Sequence, residues 1–111
     1  MTEADVLEKT VIKSCHDLLK TIPCAYGIRI NAGCGAKING RYIQLAEAGT
    51  SDEIWCIAGA FVAIEYKRMQ GGRLSPKQIA FKAKIEACGG VYLLCNTAEP
   101  LRNYLRQRGL L

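Results

Sequence analysis

The feature that most constrains the fold is the apolar run Phe61-Val62-Ala63-Ile64, which leads directly into Glu65-Tyr66-Lys67. Consecutive aromatic and branched residues favour a β-strand, and a strand this apolar is expected at the centre of a sheet, where both faces are covered. A carboxylate on such a strand loses its contact with water, which is costly unless the carboxylate has a partner. The run therefore predicts a central strand whose charged end binds something.

The helices are indicated by apolar spacing and by capping signals. A first helix is predicted over 2–20, where apolar residues recur at helical spacing before Pro23. The segment Ser75-Pro76-Lys77-Gln78 is a capping box with proline at the first helical position, and it predicts a second helix over 75–88. A basic helix is expected from about 97 to 108.

The strands indicate the class of fold. They are predicted over 26–30, 42–46, 52–57, 61–67 and 91–95, with 31–40 as a loop that contains the hairpin-turn signal Asn39-Gly40. The predicted order is therefore α-β-β-β-β-α-β-α. A helix between two strands implies a crossover, so the last strand is expected to lie parallel to an earlier one. The result is an α/β fold with a central mixed sheet flanked by helices.

Length and charge limit the classes of function. The 111 residues can bury one core, so 1–111 are expected to form a single domain. Lysine and arginine outnumber aspartate and glutamate by 15 to 10, and the net charge of +5 gives weak support for an anionic partner such as nucleic acid. The polar start and the lack of a long apolar stretch predict no signal peptide and no membrane span, hence an intracellular location.

The six cysteines are interpreted as free thiols. None stands in a C-x-x-C pair, and His16 is the one histidine that could join them at a metal. Because Cys56, Cys88 and Cys95 lie in apolar runs or on a helix face, we expect reduced, buried side chains in a cytoplasmic protein. His16 is expected on the surface of the first helix.

Three charged residues form the candidate site. Glu65 and Lys67 are two apart on a strand, so their side chains leave the same face. A hairpin between 52–57 and 61–67 brings Asp52 back opposite the end of that strand. Two adjacent carboxylates repel, and Mg²⁺ relieves the repulsion because it takes oxygen ligands and keeps several waters. Tyr66 points to the other face, but its backbone carbonyl is a further candidate ligand, and the set predicts metal-assisted hydrolysis of a phosphodiester.

Each piece also has a simpler interpretation. Glu65 with Lys67 is, by itself, an ordinary surface ion pair, and Asp52 alone is a turn residue. Glu8 lies in register with the apolar stripe of the first helix, from which it either reaches toward the metal or extends to water. Gln78 either caps the second helix or points inward to the site, and we expect that it cannot fully serve both roles.

Four segments together resemble a known family: 49–52, 61–67, 72–78 and 89–92. They are similar to the VRR-NUC domain of the PD-(D/E)xK nuclease superfamily, over nearly the whole chain. The resemblance implies a restriction-endonuclease-like core and Mg²⁺ or Mn²⁺ ligation by Asp52 and Glu65. It also implies Lys67 as the catalytic lysine, Gln78 as a supporting residue, and Glu8 as the acidic residue of the first helix. Ser51 replaces the proline of the name motif, which ligates nothing.

The resemblance also implies a substrate. Short members of the family look like phage or prophage proteins that dimerise and act on branched DNA such as Holliday junctions, in a bacterial or phage-infected cell. A homodimer is expected because two-strand cutting needs two active sites. The apolar side of the last helix is either core or dimer surface. The cations available for DNA phosphates are Lys37, Arg41, Arg68, Arg73, Lys77, Lys82 and Lys84.

Two other functions remain open at this stage. One is a binding or assembly module that keeps the fold and never cleaves, although a binding role gives no reason to place two carboxylates where DNA must lie. The other is a nuclease that acts on nicked DNA, single-stranded DNA or RNA.

Overall fold

The computed structural model describes residues 3–30, 35–44, 46–68 and 72–111, with the side chains of 8–30, 38–41, 46–68 and 72–111. Within these residues, three helices and six strands follow one another along the chain. They are α1 (Glu3–Leu19), β1 (Ala25–Arg29), β2 (Gly35–Ile38), β3 (Arg41–Gln44), β4 (Glu53–Ile57), β5 (Ala60–Tyr66), α2 (Pro76–Ala87), β6 (Val91–Cys95) and α3 (Glu99–Gln107).

Four of the strands form one mixed sheet in the order β1-β4-β5-β6. Strands β1, β4 and β5 pair antiparallel, whereas β6 lies parallel to β5 because α2 connects them. The expectation of an α/β fold with a mixed sheet is confirmed. Strand β5 is central, between β4 and β6, as its apolar sequence predicts.

The strand order differs from the predicted one at 31–40. Residues of this segment form β2, which pairs with β3 in a separate two-stranded sheet, so five strands precede α2 instead of four. Asn39 and Gly40 have φ angles of 53° and 79°, the left-handed values that a two-residue hairpin turn requires. Such a turn pairs the residues immediately before and after it, so the loop assignment was wrong for 35–38.

The hairpin between β4 and β5 fixes the register in which the candidate site residues Asp52 and Glu65 face each other. Its turn is Ala58-Gly59, with φ angles of 49° and 83°. The turn pairs Glu53 with Ile64 across the two strands. Because successive side chains alternate between the faces of a sheet, this register decides which face each charged residue occupies.

The two faces of the sheet are covered differently. One face packs against α1 and α3 and forms the core, with Cys15 and Leu19 from α1, and Leu101 and Leu105 from α3, all buried against β5 and its neighbours. The other face carries α2, which has no buried residue of its own. The sequence allowed the apolar side of the last helix to be either core or dimer surface. Leu101 and Leu105 of α3 belong to the core, whereas Leu111, which lies beyond the end of α3, is exposed.

The five cysteines in the described part of the chain are free, but not all of them are buried. Cys15 and Cys95 lie in the core, whereas Cys24, Cys56 and Cys88 are exposed. The expectation of burial was therefore wrong for Cys56 and Cys88. Cys56 lies on the face of β4 opposite to that of its neighbour Trp55, and Cys88 is the C-cap residue of α2. Cys34 lies outside the described residues. Among the helices that the structure describes, none is long and apolar enough to cross a membrane.

Candidate functional site

Asp52 and Glu65 meet at one end of the central strands. Extending the Glu53–Ile64 register by one residue places Asp52 opposite Glu65. The backbone N–H of Tyr66 donates to Oδ2 of Asp52 over 2.8 Å, which holds the Asp52 side chain against β5. Glu65 is 2% exposed, so its carboxylate is almost fully withdrawn from water. The structure thus brings together the two acids that the sequence pairs.

The loop before Asp52 packs against the start of α2. Gly49 has φ +93°, and a Cβ at this position would lie 2.5 Å from the carbonyl oxygen of Lys77. Only glycine allows both this backbone conformation and this close approach. The contact brings the first turn of α2, which contains Gln78, to the acidic pair.

Gln78 both caps α2 and points inward to the candidate site. Its Oε1 accepts from the backbone N–H of Ser75 over 2.8 Å, and its backbone N–H donates to Oγ of Ser75, which completes the capping box. Its Nε2 donates to Oε1 of Glu65 over 2.6 Å. The expectation that one role excludes the other was wrong, because the amide has an acceptor and a donor pointing in different directions.

Lys67 lies one residue beyond the end of β5 and on the face of Glu65. Its backbone N–H donates to the carbonyl oxygen of Cys95 over 3.2 Å, which continues the pairing with β6. The side chain is partly buried, and its positive charge lowers the pKa of Glu65. The ammonium therefore offsets part of the negative charge of Glu65.

The electrostatics of the pair are unbalanced. Burial raises the pKa of Glu65 to about 8, and Asp52 adds to the increase through a hydrogen bond and through repulsion, while Lys67 opposes it. A single ammonium does not compensate for removing this carboxylate from water next to a second acid. The site is built so that an additional cation would be favourable.

Tyr92 adds a further group on this face. Its partner across β5 and β6 is Ala63, two residues before Glu65, so the three side chains share one face. The ring packs edge to face on Phe81 of α2, and Nζ of Lys82 lies 5.9 Å from its centre. Among the described side chains, the hydroxyl of Tyr92 is the one buried polar group without a hydrogen-bond partner.

A second buried acid, Glu53, was missed by the sequence analysis. It is 2% exposed on the opposite face. Its Oε1 accepts from Nε1 of Trp55 over 2.9 Å and from the hydroxyl of Tyr66 over 2.8 Å, while its Oε2 lies 2.6 Å from Nε2 of His16. The alternation Glu53, Trp55, Ile57 on one strand was the signal that could have found it. His16 is only partly exposed and contacts the sheet, so its assignment to the helix surface was wrong.

The donors fit a small divalent ion that retains water. In the part of the chain whose side chains are described, no group of three or more histidine, cysteine, aspartate or glutamate side chains could hold a metal. Glu8 is partly buried on α1 and is not brought into such a group with Asp52 and Glu65. Two carboxylates nevertheless match Mg²⁺, which is commonly bound by one or two carboxylates with the remaining positions occupied by water. The Tyr66 carbonyl stays a predicted ligand.

The cations predicted to contact DNA are mostly available at the surface. Lys82 is partly buried over the Tyr92 ring, and the side chain of Lys37 lies outside those described. The exposed members are Arg41, Arg68, Arg73, Lys77 and Lys84. Two of them, Arg73 and Lys77, lie just before and within the first turn of α2, close in sequence to Gln78.

Comparison of the chain with family models, curated proteins and solved structures finds no match. The chemistry of the site must therefore be inferred from its own residues. These are two converging carboxylates, an ammonium beside them, and an amide that donates to the more buried acid.

Proposed function

We propose that the chain is a nuclease of the VRR-NUC type, with a restriction-endonuclease-like core, that hydrolyses phosphodiester bonds in DNA with the help of Mg²⁺ or Mn²⁺. The observation that carries the proposal is the meeting of buried Glu65 with Asp52 at the end of a central strand, next to Lys67. A fold gains no stability from two acids placed together with so little compensation. Binding of a divalent cation gives the arrangement a purpose.

Each residue has a defined task in this proposal. Asp52, Glu65 and the Tyr66 carbonyl would hold the metal ion, which when bound would offset phosphate charge and make a bound water more acidic. Lys67 orients the attacking water and stabilises negative charge that develops on the phosphate. Gln78 keeps Glu65 in place, because its amide is itself fixed by the cap of α2.

The proposed substrate is branched DNA such as a Holliday junction, cut by a homodimer inside the cell. The exposed cations Arg68, Arg73 and Lys77 border the site in sequence and would hold phosphates on either side of the scissile bond. Contacts of this kind read the shape of the backbone rather than its base sequence. A structure-selective enzyme is what such contacts support.

The test is a cleavage panel of junction, flap, nicked, single-stranded and RNA substrates with Mg²⁺. We expect wild-type protein to cut a DNA substrate, and Asp52→Asn, Glu65→Gln and Lys67→Ala each to lower the rate by at least about a hundredfold, since each removes a transition-state interaction. Glu86→Gln and Lys13→Ala are matched controls, because they make the same chemical changes at exposed helix positions. Circular dichroism checks that each variant is folded.

Three outcomes would overturn the proposal. They are cleavage that persists in excess chelator, full activity in both acid variants, and binding without cleavage of any substrate in the panel. The last result would instead support a binding module. Cleavage restricted to RNA or single strands would keep the metal chemistry and reject branched DNA as the substrate.

A further inference from the structure

The hydroxyl of Tyr92 is a buried donor with no acceptor among the residues that the structure describes. Tyr92 is 7% exposed, and its oxygen is the one buried side-chain polar atom without a partner in the described part of the chain. Most buried polar groups in proteins are paired, because burial without a hydrogen bond loses the interaction with water and gains nothing. An unpaired hydroxyl in the interior therefore requires an explanation, such as a partner that is acquired when the protein binds something.

The position of the hydroxyl indicates which partner that is. Tyr92 lies on β6 beside Ala63 and on the same face as Glu65. Burial raises the pKa of the Tyr92 phenol, and the nearby charges of Glu65 and Asp52 raise it further, with Glu65 the stronger of the two. The hydroxyl therefore keeps its proton and remains a donor, and Glu65 is the acid on its face whose charge acts on it most strongly.

Glu65 has room for another donor. A carboxylate can accept about four hydrogen bonds, and the buried acid on the opposite face, Glu53, has three polar partners. Among the described residues Glu65 receives two neutral donors, the amide of Gln78 and the backbone of Asp52, and it shares a further hydrogen bond with the Asp52 side chain. A bound metal ion would replace the hydrogen bond that Glu65 and Asp52 share. The Glu65 carboxylate would then be able to accept a hydrogen bond from a further side chain of the protein.

We propose that Tyr92 is a positioning residue, whose buried hydroxyl donates to the Glu65 carboxylate when Glu65 binds a divalent metal ion. The inference rests on the proposed function, since it concerns the same acidic pair. Carboxylates that ligate metals are commonly held by hydrogen bonds of this kind, and loss of one typically weakens the metal site about tenfold or more. Tyr92 itself touches neither the metal nor the substrate.

The variant Tyr92→Phe tests this role because it removes one oxygen and keeps the ring on Phe81. In chelator, we expect its melting temperature to equal or exceed that of wild-type protein, because no hydrogen bond is lost in the metal-free state. By calorimetry, we expect Mn²⁺ to bind roughly tenfold more weakly. Tyr26→Phe is the matched control, since Tyr26 is 76% exposed on β1, and we expect it to change neither quantity.

The outcomes separate this inference from the proposed function. Unchanged Mn²⁺ affinity in Tyr92→Phe, with normal binding by wild-type protein, would overturn the role of Tyr92 alone. A lower melting temperature of Tyr92→Phe in chelator would show that the hydroxyl already has a partner in the free protein and would also overturn it. If wild-type protein binds neither Mn²⁺ nor Mg²⁺, the proposed function fails and this inference fails with it.

Discussion

Glu53 and Glu65 are two equally buried acids on opposite faces of neighbouring strands, and their surroundings differ sharply. Glu53 is surrounded by the indole N–H of Trp55, the hydroxyl of Tyr66 and the imidazole of His16. Glu65 has the amide of Gln78, the nearby charge of Lys67 and a second acid, Asp52. The first acid has its polar partners within the fold, whereas the second is left poorly compensated.

The difference separates a structural role from a functional one. Glu53 joins α1, β4 and β5 through three contacts, so it helps to hold the helix on the sheet. Glu65 has an acid, Asp52, among its hydrogen-bond partners, and burial beside Asp52 raises its pKa to about 8. Strongly perturbed acids that the fold does not compensate are typical of functional sites. This contrast is what the proposed metal-binding role of Glu65 predicts, with Glu53 contributing to stability instead.

The largest expected loss of stability comes from removing Glu53, the acid whose polar partners lie within the fold. We expect Glu53→Ala to lower the free energy of unfolding by about 3 to 5 kcal/mol, because it leaves three buried partners without an acceptor. Glu65→Ala, measured in chelator at pH 8, should cost far less, since it also relieves the repulsion from Asp52. Urea denaturation of both variants checks the contrast. Equal losses in the two variants would show that the two acids do the same structural work.

Much of the acidic pair could be predicted from sequence because it depends on short-range geometry. The period of two places Glu65 and Lys67 on one face and Tyr66 on the other, and a hairpin returns Asp52 to Glu65. The burial of Glu65 followed from the apolar run before it. These relations involve residues that are linked by a single turn.

The remaining features depend on contacts between distant segments. The partners of Glu53 include His16, which lies 37 residues earlier on a helix whose position over the sheet no local pattern specifies. The double role of Gln78 depends on how close α2 approaches the loop at Gly49. Strand β2 was missed because its glycine-rich start weakens the strand signal, although the turn at Asn39-Gly40 indicated it.

The pH dependence of stability sharpens the comparison. The pKa of Glu65 is raised from 4.5 to about 8 in the folded protein, so between these pH values the folded state holds a proton that the unfolded state has lost. The contribution of this protonation to the free energy of unfolding is complete below pH 4.5 and is lost as the pH rises to about 8. In chelator, we expect wild-type protein to lose on the order of 1 kcal/mol per pH unit over this window, relative to Glu65→Gln.

Urea titrations of wild-type protein and Glu65→Gln at several pH values measure this difference. The glutamine variant is the matched control, because the rest of the titrating groups are the same in both proteins. A wild-type curve that runs parallel to the Glu65→Gln curve from pH 5 to 8 would mean that Glu65 is ionised throughout. Glu65 would then not be an acid whose burial goes uncompensated, and the contrast with Glu53 would fail.

The smallest effect is expected from a pair of buried tyrosines on opposite faces of the sheet, Tyr66 on β5 and Tyr92 on β6. Tyr66→Phe removes the hydroxyl that donates to Oε1 of Glu53 over 2.8 Å, so we expect a loss of about 1 to 2 kcal/mol in the free energy of unfolding. Tyr92→Phe, measured in the same chelated buffer, removes an unpaired hydroxyl and should cost nothing. Both changes delete one oxygen from a buried tyrosine on neighbouring strands, β5 for Tyr66 and β6 for Tyr92, so the change in volume is matched. If both variants lose the same stability, the Tyr92 hydroxyl on the face beneath α2 already has a partner in the free protein, and the contrast between the two faces fails for the tyrosines.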